Sequence, residues 1–544
     1  MSVAVAVPSD RTGSTPPDNK WLVAASVSLG ALMVTIDLTI VNVALPQIRG
    51  SVGATVDQMT ALATSFAIAQ VIIMPLTAFL GRLLGQKRVY LGYLALFVVG
   101  SMLCGVSRTL GQLVAARTLQ GVGAGALQPS QMSILRQTFP PREQGMAMAV
   151  VAMVIVIGPA VGPTLGGWIV DNWSWPWIFY INLPIGILGL LMVSRFVHEP
   201  EDIRAANRAQ ADVMKRDLDW QGIALLSVGL ASLQYFLEEG SRNDWFSSKA
   251  IVAAGLTAFL ALPMFVWREF TARAPAVQLR LFRDVTFASA TLIGGIMFAN
   301  LMAGMFMLPI FMQEMLGFTA FKSGLTLMPR ALVMMVCTPF VGRIYNHVSP
   351  RLLVAFGVAC VGWGSLEMGK FTLQTGDVDI IKVLVLQGIG FSSLFVPLTT
   401  VALSNVPRPW IADATGLNSL VRQFGGSAGL AIYGTLLTSF VDVARNGLLP
   451  HLDPFRPEVA QRVEMMTRAF MARGMDAGTA HNAAIAALGG SVARQASLIA
   501  FDKVFVLTAI MMFVLLPLAF FLHDRTRDLP HMPGAAVPHV MAGE

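Results

Sequence analysis

The sequence predicts an all-α integral membrane protein: fourteen transmembrane helices, arranged as two six-helix bundles plus an inserted helix pair. Three observations predict it. The 544 residues are 55% hydrophobic and only 13% charged, with mean hydropathy +0.65, whereas a soluble chain carries about 25% charged residues. Fourteen apolar stretches are each long enough, at about 20 residues, to cross the hydrocarbon core as a helix. The second bundle also repeats features of the first.

The stretches fall near 21–44, 58–80, 89–107, 110–133, 145–170, 176–197, 219–238, 249–269, 286–314, 323–343, 352–371, 380–402, 411–440 and 500–523. Residues 1–20 are polar, with Pro and Ser and no cleavage site after a short apolar core, so no secretory signal is expected. An even number of crossings puts both termini on one side. Segments on that side hold 21 Lys and Arg against seven in the short loops opposite, which by the positive-inside rule predicts cytoplasmic termini. The repeat is local but ordered. LQGVG at 119–123 is echoed by LQGIG at 386–390, and Pro140 and Pro407 each follow the shared Gln by 20 residues. Pro75 to Lys87 aligns with Pro339 to Arg351 at an offset of 264. The expected organisation is a cytoplasmic tail 1–20, an N-terminal bundle 21–198, a charged cytoplasmic linker 199–218, an inserted hairpin 219–270, a C-terminal bundle 286–523 with an extracytoplasmic loop 441–499, and a tail 524–544. Parallel halves of this kind place a binding site between them. In the loop, Val459, Val463, Met466 and Phe470 share one helical stripe. It reads either as a helical hairpin over the outer mouth or as a docking surface.

Several function classes are excluded. The net charge of +7 follows from the loop bias and does not indicate nucleic-acid binding. Cys104, Cys337 and Cys360 lie in apolar runs without metal-type spacing, and the seven histidines lie outside the apolar cores. Gly364 to Lys370 has phosphate-loop spacing, but Phe371 stands where a Ser or Thr would hold Mg²⁺, and no strand precedes it. Gly121, Gly123 and Gly125 lie inside a helix and make no dinucleotide site. No metal or cofactor is expected, and energy must come from an ion gradient.

Charges inside the apolar stretches carry the chemistry. Asp37 sits in MVTIDLTIVNVALP at 33–46 and Arg117 in the fourth stretch; ionisable residues in such places are expensive and functional by default. Counted at 1.5 Å per residue, Asp37 lies roughly 22 Å from the inner end of its helix and Arg117 roughly 11 Å from the outer end of its own, which places them at similar depth. A cation favours the charged form of a carboxylate and burial the neutral form, so a carboxylate under both influences can exchange a proton as water or the cation moves. A permanent structural ion pair is the other reading. Arg330 and Arg422 lie in the tenth and thirteenth stretches, either bonded to helix carbonyls or facing a cavity that favours anionic lipophilic molecules. Gly158, Gly162 and Gly166 share one helix face, which lets another helix approach closely, and Pro159 and Pro163 remove donors and bend the helix.

Several stretches in order resemble the EmrB/QacA-type fourteen-helix drug:proton antiporters of the major facilitator superfamily, close to the EmrB-like branch. DLTIVNVALP at 37–46 resembles the family's helix 1 motif, LVAARTLQGVGAG at 113–125 that of helix 4, GPAVGPTLGG at 158–167 the helix 5 antiporter motif, WPWIFYINLPIG at 175–186 the start of helix 6, and FVPLTTVAL at 395–403 helix 12. The resemblance implies a proton-coupled multidrug exporter of lipophilic small molecules in a bacterial inner membrane. An exporter or importer dedicated to one metabolite is the alternative. It implies Asp37 as proton carrier, Arg117 as its modulator, and an antiporter motif of Gly158, Pro159, Gly162, Pro163, Gly166 and Gly167. Asn42, Gln120, Gln128, Arg330, Arg422 and Phe395 are the expected lining of a central substrate cavity. It also implies, in double-membrane bacteria, a periplasmic adaptor and an outer-membrane channel as partners. AFLGRLLGQKR at 78–88 departs from the superfamily's Gly-x-Leu-Ala-Asp-Arg-x-Gly-Arg-Lys: Ala78 replaces Gly, Arg82 replaces Asp and Leu83 replaces Arg. Asp413 near the start of helix 13 suggests a reversed ion pair with Arg82, the alternative being a solvated Arg82.

Overall fold

Backbone groups in hydrocarbon must be satisfied within their own segment, so the apolar stretches fold as helices. The computed structural model describes residues 19–199, 219–272, 275–452 and 456–523, and no strand occurs among the described residues. Fourteen long helices follow one another: α1 (Lys20–Val52), α2 (Val56–Leu84), α3 (Gln86–Val106), α4 (Leu110–Thr138), α5 (Gln144–Asn172), α6 (Trp177–Phe196, turned at Ile181), α7 (Trp220–Gly240), α8 (Lys249–Thr271), α9 (Val285–Ile310), α10 (Ala320–Ile344), α11 (Pro350–Met368), α12 (Asp377–Ala402), α13 (Ile411–Leu448) and α14 (Ala477–Val514). Their starts carry side chains that cap free N–H groups. Thr55 and Gln58 form a reciprocal capping box on α2, and Thr109, Asp219, Asp284, Thr319 and Asp476 cap α4, α7, α9, α10 and α14. The expected linker 199–218 and both tails lie almost wholly outside the described residues.

Thirteen of these helices are long and apolar enough to cross a bilayer, and α4 is the exception. Its polar side chains, including Arg117, Gln120, Gln131 and Arg136, are buried against neighbouring helices and not in lipid. The described part of segment 441–499 is mostly helical. α13 runs on to Leu448 and the Ala-rich segment begins α14 at Ala477, because Ala is the best helix former. What remains holds one amphipathic helix, Pro457–Met471, packed against α14.

Helices α1 to α6 pack among themselves, α1 on α5, α3 on α4 and α2 on α4, and α9 to α14 do likewise, α9 on α13, α11 on α12 and α10 on α12. The two groups meet where α5 touches α10 and α12, and where α13 touches α2 and α4. The inserted α7 lies against α2 and α13, with α8 packed on its outside. On the side of the chain ends the groups are closed on each other. Arg136 donates to the Leu403 carbonyl at 2.9 Å, Asn346 donates to the Arg142 carbonyl at 2.6 Å, and Gly145 and Gly342 pass so closely that a Cβ on Gly145 would stand 2.6 Å from the Gly342 oxygen.

The glycine face of α5 seats α1. A Cβ on Gly158 would overlap Thr35, one on Gly162 would overlap Thr39 Oγ1, and one on Gly166 would stand 2.7 Å from Ile40 Cγ1. The close approach lets Thr35 and Thr39 donate across the interface to the carbonyls of Val154 and Gly158, each at 3.3 Å. Pro163 is exposed, and the Pro159 side chain lies outside the described residues. Gly162→Ala should therefore destabilise the protein by about 1–3 kcal/mol, the usual result of overpacking. Gly167→Ala, whose Cβ would meet only Val43 Cγ1 at 4.0 Å, should be neutral. Thermal unfolding of both variants in detergent checks this; equal melting temperatures would contradict the packing described.

Candidate functional site

Between Thr35 and Thr39, α1 presents Asp37 to the interior of the first helix group, with no exposed surface. A carboxylate buried away from water needs its hydrogen bonds from protein, and two helices supply them. Arg117 Nη1 of α4 donates to Oδ2 at 2.6 Å. Gln120 Nε2, one turn further along α4, donates to Oδ1 at 2.9 Å, and its own Oε1 accepts from Arg117 Nη1 at 2.7 Å. Asn182 Nδ2 of α6 reaches Oδ1 at 3.4 Å and donates to Ser101 Oγ of α3 at 3.0 Å. The guanidinium lies 4.3 Å from the Phe66 ring centroid and 5.9 Å from that of Phe179, a cation–π arrangement that gains strength where water is absent. The clasp fits because small residues thin the helices beside it: a Cβ on Gly100 would stand 2.7 Å from the Gln120 nitrogen. Among the described residues Arg117 Nε has no hydrogen-bond partner, so the ion pair is held on one side of the guanidinium.

Arg82 at the end of α2 and Asp413 at the start of α13 form an ion pair, both side chains buried. It joins the two helix groups on the side of the chain ends. Arg82 is therefore not solvated, and its charge partner is reversed relative to the pattern's Asp.

The expected cavity residues divide. Arg422 and Phe395 come together, with the guanidinium 4.8 Å from the ring centroid. Arg422 Nη2 also approaches Met132 Sδ of α4 at 3.3 Å, so this arginine bridges the two groups, and its Nη1 has no partner. Arg330 is buried beside Gly304 of α9 and makes no hydrogen bond or ion pair among the described residues. Gln128, half-buried, lies one turn before Met132 on α4. Asn42 is exposed and donates to its own helix at Leu38. Gln120 is the correction: with no exposed surface and both amide atoms engaged, it belongs to the Asp37 clasp and not to a cavity wall.

Asn182, Ser101 and Phe66 were not expected at the site. Asn182 falls within the quoted stretch at 175–186, where a lone Asn between Ile and Leu was the available signal. Ser101 and Phe66 gave none, since a small polar residue and an aromatic are ordinary in a membrane helix. Among the described residues no group of three or more His, Cys, Asp or Glu is placed to hold a metal ion.

A family model described as Major Facilitator Superfamily matches residues 27–430. Fatty acid resistance protein FarB of Neisseria gonorrhoeae is 31% identical over 496 residues, covering 91% of this chain and 94% of its own. Multidrug export protein EmrB of Escherichia coli is 31% identical over 507 residues, covering 92% and 94%. Among solved structures, the proton:xylose symporter XylE superposes with a TM-score of 0.57 at 12% identity, over 92% of this chain and 96% of that one. This last is a likeness of fold alone.

Removing one partner of a buried ion pair leaves an uncompensated charge, at a cost of about 3–5 kcal/mol. Arg82→Asp and Asp413→Arg should each impair transport strongly, and the double variant should recover it. Uptake by inverted vesicles carrying each variant at matched protein level checks this, and an inactive double variant would rule out a working pair.

Proposed function

The chain belongs to the Major Facilitator Superfamily, and from that premise we propose that it is a proton-coupled exporter of lipophilic small molecules. It works by alternating access in a bacterial cytoplasmic membrane, with both termini in the cytoplasm. The observation that carries the reading is the Asp37 clasp: a fully buried carboxylate whose cation, Arg117, sits on a neighbouring helix and is held on one side only.

The cycle follows from the chemistry of that pair. With the terminal side closed, water reaching Asp37 from the opposite face delivers a proton as cargo departs. A neutral carboxyl no longer balances Arg117, so the clasp reorganises, and the glycine-seated contact carries the change from α1 to α5. The groups rock, the Arg82–Asp413 pair parts, and the terminal side opens. Asp37 then releases its proton to the cytoplasm and re-forms the ion pair while new cargo binds. No cofactor takes part. One proton crossing 100 mV contributes about 2.3 kcal/mol and one pH unit adds about 1.4 kcal/mol. Together these hold a neutral cargo gradient of roughly 500-fold.

The names of the relatives support export as the direction, a multidrug export protein and a fatty acid resistance protein. Arg422, with a free Nη1 beside Phe395, and the unpaired Arg330 favour lipophilic cargo with an anionic group. The amphipathic Pro457–Met471 helix on the outer face is the surface an adaptor would meet in a double-membrane envelope, on the way to an outer-membrane channel.

In proteoliposomes with an imposed pH gradient, the wild-type protein should drive cargo uphill. Asp37→Asn should lose at least 100-fold of the accumulation ratio, falling to equilibration, while keeping cargo binding and downhill exchange. Full uphill transport by the Asn variant would sink the proposal.

A further inference from the structure

The outer end of α7 carries two consecutive carboxylates, Glu238 and Glu239, that the cycle above does not use. Both lie within the apolar helix Trp220–Gly240, and Glu239 is only 9% exposed. Thr64 of α2 donates to Glu239 Oε1 at 2.8 Å. Gln234, one turn back and with no exposed surface, donates to Glu238 Oε1 at 2.6 Å and to Ser427 Oγ of α13 at 2.8 Å. Asn243 in the following turn reaches Glu239 Oε2 at 3.5 Å. The groups facing the pair are thus neutral: Thr64 from α2, Ser427 from α13, Gln234 and Asn243 from α7 and its turn. Arg242, Asp244 and Lys249, the charged residues of the turn and of the start of α8, are exposed, and no ion pair to either glutamate occurs among the described residues. The side chain of Asp57, at the start of α2, lies outside the described residues.

Glu239 is buried and Glu238 half-buried, and two neighbouring carboxylates with no cation paired to either among the described residues repel each other when both are ionised. A second observation points to what they hold. Gln234 Oε1 is buried and has no partner. Among the described residues it is an open acceptor beside the pair, of the kind a donor such as a proton-bearing carboxyl satisfies. The cluster also lies on the α2–α13 seam, whose opposite end is closed by Arg82 and Asp413.

We propose that Glu238 and Glu239 form a second proton-binding site, in exchange with the outer face and distinct from Asp37, whose shared proton keeps α7 tied to both α2 and α13. Loading the proton holds the outer end of the seam together. Losing it leaves two repelling charges that draw in water and loosen the seam. The site makes the outer closure responsive to external pH whether or not Asp37 carries the coupling proton.

The test uses the full chain with Asp37→Asn, so that the clasp cannot titrate, and with its three cysteines replaced. Spin labels at the exposed Ala63 on α2 and Val443 on α13 report the seam by pulsed electron resonance as pH is varied. With both glutamates present, the distance distribution should shift from short at low pH to long at high pH. Glu238→Gln with Glu239→Gln should fix it in the short form throughout. Thr64→Val, which leaves both carboxylates in place, should move the midpoint by about one pH unit and serves if the glutamine variant does not fold. A seam insensitive to pH, a response that survives the paired glutamines, or a midpoint unmoved by Thr64→Val would each overturn the proposal. None of these outcomes depends on transport being proton-driven, which the Asp37 experiment tests separately.

Discussion

Water is the ordinary partner of a carboxylate, and Asp37 has no surface exposed to it. Its oxygens are satisfied by Arg117, Gln120 and Asn182 from two other helices, and that requirement dictates the surrounding architecture. Arginine and glutamine must lie one turn apart on one face of α4. Asparagine must begin the second part of α6. α1 must sit close enough to α5 for Thr35 and Thr39 to bond across. Glycines on α3, α4 and α5 serve the same end by letting backbones approach. A buried charge of this kind adds little net stability, because desolvation offsets attraction. Its effect is to make one arrangement of the helices around Asp37 much better than its neighbours.

Much of this was legible in the sequence, for physical reasons that differ by residue. Asp37 and Arg117 stood out because ionisable groups are rare in apolar stretches, and the 1.5 Å rise of a helix was enough to set them at one depth. Arg82 and Asp413 were legible as a departure from a known pattern, a charge where the opposite charge belongs. Gln120 was placed in a cavity because its polarity was visible and its hydrogen bonds were not. Asn182 went unseen since nothing in one chain says which turn of α6 will face α1. The glutamates of α7 were hidden by position, at the end of an apolar stretch, where acidic side chains usually reach water.

The inserted pair gains a structural meaning from its contacts. α8 touches chiefly α7, whereas α7 bonds to α2 through Thr64 and to α13 through Ser427. α2 and α13 belong to different groups and must change their relation whenever the groups rock. An added helix that merely enlarged the lipid-facing surface would have no need of buried polar groups on that seam. Here the seam is polar at both ends, ionic on the side of the termini and carboxyl–amide on the other.

Gly145 and Gly342 give the closure on the side of the chain ends a distinctive character. Many barriers in proteins are side chains that swing aside, so they flicker open as rotamers exchange. Here main chain lies against main chain, and a backbone has no rotamer through which to flicker. Passage on this side therefore demands that whole helices separate, an event too large to happen by small thermal excursions of a single residue. A barrier of that sort resists slippage: ions find no brief crevice to run through uncoupled, and every passage is charged to a complete swing of the two halves.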